Sequence, residues 1–417
     1  MTEHTTTGAV TNGVPWYDDR GEVVNAHGSC LIRENGRYHL FGEYKTDAEN
    51  HFIGFSCYSS ADLVGWHFER MALPVQPHGI LGPDRIGERV KVMKCPATGR
   101  FVMLAHADNL TYTDPVIALA VSDTIDGEYR LLGALTCAGE PIRRWDMGTF
   151  QDADGTGYLL LHEGDIYRLA PDYLTAEELV ARAVAPGGES PAMTHAEGTY
   201  FLMLSHKTSW DRNDNYYLTA PAPGGPWTPR GTVAPAGSRT WNSQCSYIVD
   251  GIYTGDRWSY PHQASSATYV WLPLTLRGGA MALPAYWQAW DPRTRRPVDL
   301  GGETFEVDWR SDVAGTSWSM PVRAGRIAVG GRSGRDGGYA RIRLVDGDGN
   351  VAAEQLIDCY APAPAEGLLY VSPPLPTGSY EATVEVTGEA SVFYKKDGTR
   401  LGSTGTAVDI TEIRVLA

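Results

Sequence analysis

A strand theme recurs along most of this chain at a spacing of roughly fifty residues, and a repeat of that length restricts the fold before anything else does. Each unit carries a Gly-x-aromatic-apolar strand, then a second alternating, often Ser-rich strand, then a Trp or Tyr near a turn. The first unit runs Asn35-Gly36-Arg37-Tyr38-His39-Leu40-Phe41-Gly42-Glu43, continues through Ile53 to Ser60, and reaches Trp66. The second has Thr98 to Leu104, Val116 to Ser122 and Gly127-Glu128-Tyr129, and the third has Asp154 to Leu161 and Asp165 to Leu169. The fourth has Glu197 to Leu204, Tyr216 to Ala220 and Gly225-Pro226-Trp227. The fifth is less regular: Ser243 to Val249, Asp256-Arg257-Trp258 and Thr268 to Leu274. Hairpin signals such as Asn35-Gly36 and Asp154-Gly155 sit between strands. Such units predict propeller blades; a sandwich is the alternative, but five similar units favour radial repetition.

The expected fold is therefore all-β, a five-bladed β-propeller over residues 14–295 followed by a β-sandwich over residues 302–417. Ala285 to Asp291 completes the ring or covers its edge. From about Gly302 the texture changes to alternating strands such as Tyr339 to Val345, with a final strand from Ile410 to Leu416. Asp346-Gly347-Asp348 reads as a turn rather than a calcium loop, because the remaining ligand spacing is missing. Helical periodicity is nearly absent. Thr175 to Arg182 is the clearest candidate helix, with Thr175 as N-cap and Glu178 completing a capping box.

Composition narrows the function classes. The formal net charge is −15, which argues against nucleic-acid binding. No apolar run approaches the ~20 residues of a membrane span. The stretch Met1 to Thr7 lacks the basic and apolar regions of a secretory signal. The six cysteines show no CxxC and no zinc spacing, and Cys30 and Cys57 lie in apolar strands where a buried thiol is expected. These features predict a cytoplasmic, reduced protein, although a secreted one whose leader had been removed would read the same. The sequence sets no oligomeric state. With 12 Trp and 22 Tyr, the aromatic load suits β-rich cores and sugar platforms alike.

Candidate chemistry rests on carboxylates. Gly187-Gly188-Glu189-Ser190-Pro191 holds a glutamate between glycines and a proline, the pattern of a constrained turn. A propeller would aim such loops at a common centre, with Asp18, Asp19, Glu43, Glu88, Asp146 and Glu163 as further candidates. Inverting glycosidic cleavage needs a protonated carboxyl and a water-aligning base about 6.5–9.5 Å apart, a span that separate blades supply. The acid stays protonated near neutral pH if burial or a neighbouring carboxylate raises its pKa.

An ordered set of stretches carries a resemblance. They are Asn25-Ala26-His27-Gly28, Phe41-Gly42-Glu43-Tyr44, Glu88-Arg89-Val90-Lys91-Val92, Arg144 to Gly155, Glu189 to Met193, Thr240 to Gln244, Gly255 to Trp258 and Tyr269 to Leu274. The chain resembles glycoside hydrolase family 43, a five-bladed propeller family, and within it the exo-β-1,3-galactanase subfamily 24. Val90 is a departure, since the subfamily usually has proline there. The resemblance implies an inverting exo-glycosidase releasing galactose from the non-reducing end of β-1,3-galactan or galacto-oligosaccharides. Other family members act on arabinofuranosides, xylosides or galactofuranosides, and a non-catalytic carbohydrate-binding propeller is the remaining alternative.

Carried over by position, Glu189 resembles the general acid and Asp146 the carboxylate that orients it and raises its pKa. The usual aspartate base has no match beside His27, with Asp18 and Asp19 a few residues earlier as the fallback. The water-facing position falls to Gln244, which orients water or acts as its imidic-acid tautomer; the alternative is that Gln244 bonds substrate and another group is the base. Glu43 and Glu88 resemble residues that grip sugar hydroxyls, Tyr112 and Trp210 resemble walls for galactose, and His27 belongs to the same binding set. His27 and His262 prompt a metal check, but no second ligand of suitable spacing stands out, so neither metal nor cofactor is expected. Hydrolase nucleophile, phosphate-loop and dinucleotide motifs are absent from the sequence.

Overall fold

A computed structural model describes residues 8–48, 50–395 and 397–416; the Met1–Thr7 stretch read above lies outside them. The described chain is nearly all β-structure, with helix confined to single turns such as Gln263–Ser266. Successive antiparallel hairpins build one sheet after another. The first holds His27–Glu34, Arg37–Glu43, Gly54–Ser60 and His67–Pro74, and the second Arg85–Lys94, Phe101–Asn109, Val116–Ser122 and Arg130–Ala134. The third runs from Met147–Gln151 through Gly157–Leu161 and Ile166–Leu169 to Ala176–Ala181, with two short strands at its edge. Gly188–Ala196, Thr199–His206, Tyr216–Ala220 and Thr228–Thr232 make the fourth, and Gln244–Val249, Ile252–Arg257 and Thr268–Pro273 the fifth. The turn joining the first hairpin places Asn35 and Gly36 at φ 50° and 80°, as a two-residue turn matched to strand twist requires.

The first strand of each of these sheets lies beside the first strand of the next, and Gln244–Val249 lies beside His27–Glu34. These inner strands bring successive chain segments to one place. Apolar cores fill the spaces between neighbouring sheets: Phe41, Phe55, Val92 and Phe101 between the first two, Leu104, Ile117, Met147 and Leu159 between the next pair. Phe150, Leu160, Met193 and Leu202 continue the series, as do Met203, Cys245, Tyr253 and Val270. Each such side chain contributes roughly 1.5–3 kcal/mol by leaving water. Trp16 stacks on Tyr269 at 4.6 Å and meets Trp271 edge-on at 4.9 Å, tying the amino-terminal segment to the fifth sheet. The Asn12 amide bonds the backbone N–H and carbonyl of Trp271 at 2.7 and 2.9 Å. Ala289–Asp291 pairs with Val10–Thr11 rather than with the fifth sheet itself.

The expected helix at Thr175 to Arg182 is a strand. Ala176–Ala181 pairs with Ile166–Leu169, and Arg168 holds Glu177 and Glu178 at 3.3 and 3.0 Å. Eight residues are too few for a helix to persist on propensity alone, so an available sheet edge wins. The turn expected around Glu189 is also a strand, irregular in register between Glu189 and Ala192.

Beyond Gly302 two four-stranded sheets face each other. One has the order Glu303–Ser311, Val408–Val415, Ile327–Ser333, Ala365–Val371; the other Ser317–Ala324, Gly378–Val386, Tyr339–Asp346, Val351–Asp358. Val329, Ile342, Leu344, Val384 and Ile410 belong to their common core. Asp346 accepts the backbone N–H groups of Asp348 and Asn350 at 3.0 and 2.8 Å, so this stretch is a turn. A separate hairpin, Val392–Tyr394 with Arg400–Gly402, projects from this part of the chain.

Candidate active site

A cavity of about 860 Å³ opens where the inner strands meet, and Glu43, Glu88, Arg89, Asp146, Glu189 and Gln244 line it. The strands are irregular where they reach it. Register shifts lie between His27 and Cys30, Glu88 and Lys91, Glu189 and Ala192, and Cys245 and Tyr247. Gly28, Arg89 and Ser190 take left-handed backbone at φ 57°, 55° and 57°, and Asp146, just before the third inner strand, has φ 40°. A β-bulge breaks the alternation of side chains, so consecutive residues serve one site. That is how Glu88 and Arg89 both reach the cavity.

Glu189 and Asp146 sit together on one side of the cavity. Asp146 accepts the backbone N–H of Ser190 at 2.7 Å and pairs with the Arg89 guanidinium at 2.9 Å. The Ser190 hydroxyl donates to the Cys245 carbonyl, locking the fourth inner strand to the fifth. Burial and then the Asp146 charge push the Glu189 carboxyl up to about 8, against the opposing pull of Arg89 and Lys207. A carboxyl so placed holds a proton at neutral pH and can give it to a leaving oxygen.

Gln244 is fixed through every polar atom of its amide. Its carbonyl accepts from Arg89 at 2.6 Å and from the Trp258 indole at 2.8 Å. Its amide nitrogen donates to the Ser205 hydroxyl at 2.8 Å and to Glu189 at 3.1 Å. The last distance corrects the expected gap of about 6.5–9.5 Å. Acid and amide touch, because both sit at bulges of neighbouring strands that the Ser190–Cys245 bond draws together.

The opposite wall is a second polar cluster. Glu43 accepts the Arg89 backbone N–H at 2.8 Å and pairs with Lys45 at 2.5 Å; burial pushes its carboxyl up despite Lys45. Burial also acts to raise Glu88, but His106, Lys45 and Tyr112 together hold its carboxyl well below the usual range. Tyr112 donates to Glu88 at 2.7 Å, and His106 lies 3.3 Å from it. Burial opposes charge on His106, yet Asp108 and Glu88 push it up to about 9. Trp210 completes the wall, stacked on Tyr260 at 5.6 Å and edge-on to Trp258 at 5.4 Å. Such a lining offers hydroxyl acceptors on one side and aromatic faces on the other.

The structure thus gathers Glu189, Asp146, Gln244, Glu43, Glu88, Tyr112 and Trp210 in one cavity. It does not bring His27 there. His27 is fully buried beneath the site, bonded to Asp256 at 3.0 Å and stacked on Tyr269 at 4.8 Å, so its ring faces protein instead of the pocket. Asp18 and Asp19 are also elsewhere, in a separate cleft where they pair with Arg20 and His67. Sequence reading missed Arg89, Lys45, His106 and Trp258. Arg89 and Trp258 stood inside the stretches that carried the resemblance, but no role was read for either. Among the described residues no group of three or more His, Cys, Asp or Glu side chains could hold a metal ion.

No protein-family model matches the chain, and no curated protein sequence does. Solved structures do. A Bifidobacterium bifidum protein assigned as an exo-β-1,3-galactanase shares 35% identity over 66% of this chain and 95% of its own, with a TM-score of 0.61. A family 43 β-1,3-galactosidase solved with galactodeoxynojirimycin shares 26% identity over 68% of this chain and 100% of its own, at 0.62. The exo-β-1,3-galactanase of Phanerochaete chrysosporium, at 23% identity, has the same fold over 97% of this chain and 99% of its own, at 0.73. Taken with a cavity in which a proton-holding glutamate faces a fixed amide, these likenesses place the chain in glycoside hydrolase family 43, among its β-1,3-galactanase-like members.

Proposed function

We propose that this enzyme is an inverting exo-glycoside hydrolase that releases galactose from the non-reducing end of β-1,3-galactan or β-1,3-galacto-oligosaccharides. On this reading residues 14–295 form a five-bladed β-propeller and residues 302–417 a β-sandwich beside it. The cyclic neighbour order of the inner strands supports the first, and the two facing sheets around one core support the second. The observation that carries the function is the convergence of Glu189, Asp146 and Gln244, each from a different sheet, on one cavity. Glu189 gives its proton to the glycosidic oxygen as the bond to the anomeric carbon breaks. Asp146 holds the Ser190 backbone beside it and, by its charge, keeps the proton on Glu189. The terminal galactose, gripped by Glu43 and Glu88, enters as the Glu189–Gln244 bond opens, and Gln244 then orients the attacking water. An amide forms no stable glycosyl ester as a carboxylate nucleophile would, and Asp146 is committed to Ser190 and Arg89. A single displacement follows, with inversion: the water oxygen bonds the anomeric carbon as the glycosidic bond breaks, and the water's proton passes through Gln244, as its imidic-acid tautomer, to solvent.

The carboxylates poised for hydroxyls and the aromatic wall suit a pyranose. Its partner is a carbohydrate, with no nucleic acid, membrane or cofactor in the reaction. Six unpaired cysteines fit a reducing, cytoplasmic setting, where oligosaccharides are turned over at least as well as polymer. The test is the product: β-1,3-galactobiose, beside a panel of nitrophenyl glycosides, should release α-galactose first by proton NMR. Initial release of β-galactose overturns inversion, and preference for an arabinofuranoside or xyloside overturns the sugar.

A further inference from the structure

The cavity is larger than one galactose fills, lying in the range that holds a drug-sized ligand, and its mouth is not built by the inner strands. Three exposed apolar side chains line it: Leu110 at 45%, Trp145 at 40% and Tyr394 at 62% exposure. Aromatic and apolar groups exposed at a cavity mouth offer faces on which a sugar can rest. Tyr394 comes from the Val392–Gly402 hairpin, far along the chain from every other group in the site, and Lys395 follows it into the lining.

The hairpin is anchored. Ser391 donates to the Tyr260 carbonyl at 2.9 Å, and buried Phe393 meets the Tyr260 ring edge-on at 6.4 Å. Tyr260 in turn stacks on Trp210, and Trp210 packs on the Trp258 that bonds Gln244. Strand alternation then turns the residue after Phe393 outward, toward the mouth. Among the described residues no hydrogen bond is made by the side chains of Tyr394 and Lys395, which leaves a ring face and an ammonium donor for a ligand.

Resting on the exo-galactanase reading, we propose that Tyr394 and Lys395 form the outer aglycone subsite, receiving the sugars beyond the cleaved bond. In an exo-acting pocket the terminal galactose takes the floor, where Glu189 and Gln244 lie, and the rest of the chain leaves through the mouth. Tyr394 stacks against a pyranose face there, and Lys395 donates to its hydroxyls. The carboxy-terminal sheets thereby set the preference for chain length.

Steady-state kinetics on an aryl β-galactoside, β-1,3-galactobiose and β-1,3-galactotriose test this. Tyr394→Ala should lower the ratio of kcat/KM for the trisaccharide over the aryl galactoside about three- to tenfold, mainly through KM, and Tyr394→Phe should restore it. Lys395→Ala should move the same ratio in the same direction. An unchanged ratio, or an equal fall on all three substrates, overturns the proposal while leaving the galactanase reading intact. Wild-type enzyme inactive on both β-1,3-galactosides overturns that reading, and this subsite with it.

Discussion

At the scale of single residues, the proposed catalysis turns on where one proton rests. Glu189 keeps its proton because burial and Asp146 raise its pKa to about 8, so kcat/KM should fall as pH rises through that value. Removing the Asp146 charge takes away one raising cause, and Asp146→Asn should move the alkaline limb to lower pH in a pH–rate profile. The same shift carries a stability consequence. The folded state holds this proton between the unfolded value near 4.3 and about 8, so stability drains away across that window as pH rises. Glu189→Gln should therefore raise the melting temperature at pH 8 more than at pH 5. The same variant should lose roughly 10²–10⁴ in turnover of galactobiose and less on aryl galactosides, whose leaving groups need little protonation. Equal losses on both would assign Glu189 to binding. For the water side, Gln244→Ala should lose most turnover, whereas the double change Asp18→Asn with Asp19→Asn should keep a substantial share, measured per folded molecule. The carboxylates and the amide were legible in the sequence through ordered motifs. Arg89 was not, although it touches Asp146, Gln244 and, through its backbone, Glu43. Alternation along a regular strand assigns Glu88 and Arg89 to opposite faces, and nothing in the letters announces a bulge.

At the scale of elements, those bulges are what make five inner strands into a site. Hydrophobic alternation and turn residues exposed nearly every strand to sequence reading, because each is a local pattern. Register is non-local, so the slips at Glu88, Glu189 and Cys245 stayed hidden until neighbouring strands were in place. The strand at Ala176–Ala181 was hidden for a related reason: a capping-box pattern is local, while the sheet edge that claims it is not. The inner strands also approach one another closely. A Cβ on Gly148 would stand 2.0 Å from the Pro191 carbonyl oxygen, a backbone atom that yields only if its strand shifts. Gly148→Ala should therefore cost about 1–3 kcal/mol of stability, the price of overpacking. It should also reduce kcat, since the displaced strand carries Glu189 and the neighbouring one follows Asp146. Thermal melts and single-turnover rates on the same preparation check both halves; a melt shift with unchanged kcat would detach the strand contact from catalysis.

At the scale of the whole molecule, the late sheets are bound into the site from behind. Arg212 donates to the carbonyls of Trp258 and Tyr360 and lies 3.7 Å from the Asp358 carboxylate. All of these are buried or nearly so, and Asp358 is already pushed up by burial. Arg212→Ala leaves that carboxylate without its cation, a change worth about 3–5 kcal/mol. Melting temperature and activity should fall together, because Trp258 is the donor that holds Gln244; a loss of stability with full activity would separate the two. Sequence reading found the carboxy-terminal sheets by their texture but gave them no chemistry, since Ser391 and Phe393 acquire meaning only against Tyr260. The aromatic run from Phe393 to Trp258 also bears on how the molecule is made. Acid and amide both lie within the first 244 residues, and a chain leaving the ribosome presents them long before residue 393 is added. Until that phenylalanine arrives, the stack over Trp258 has no outer buttress. A chain clipped before residue 392 should thus keep its acid and amide yet hold the Trp210–Trp258 stack less firmly, read as a lowered melting temperature.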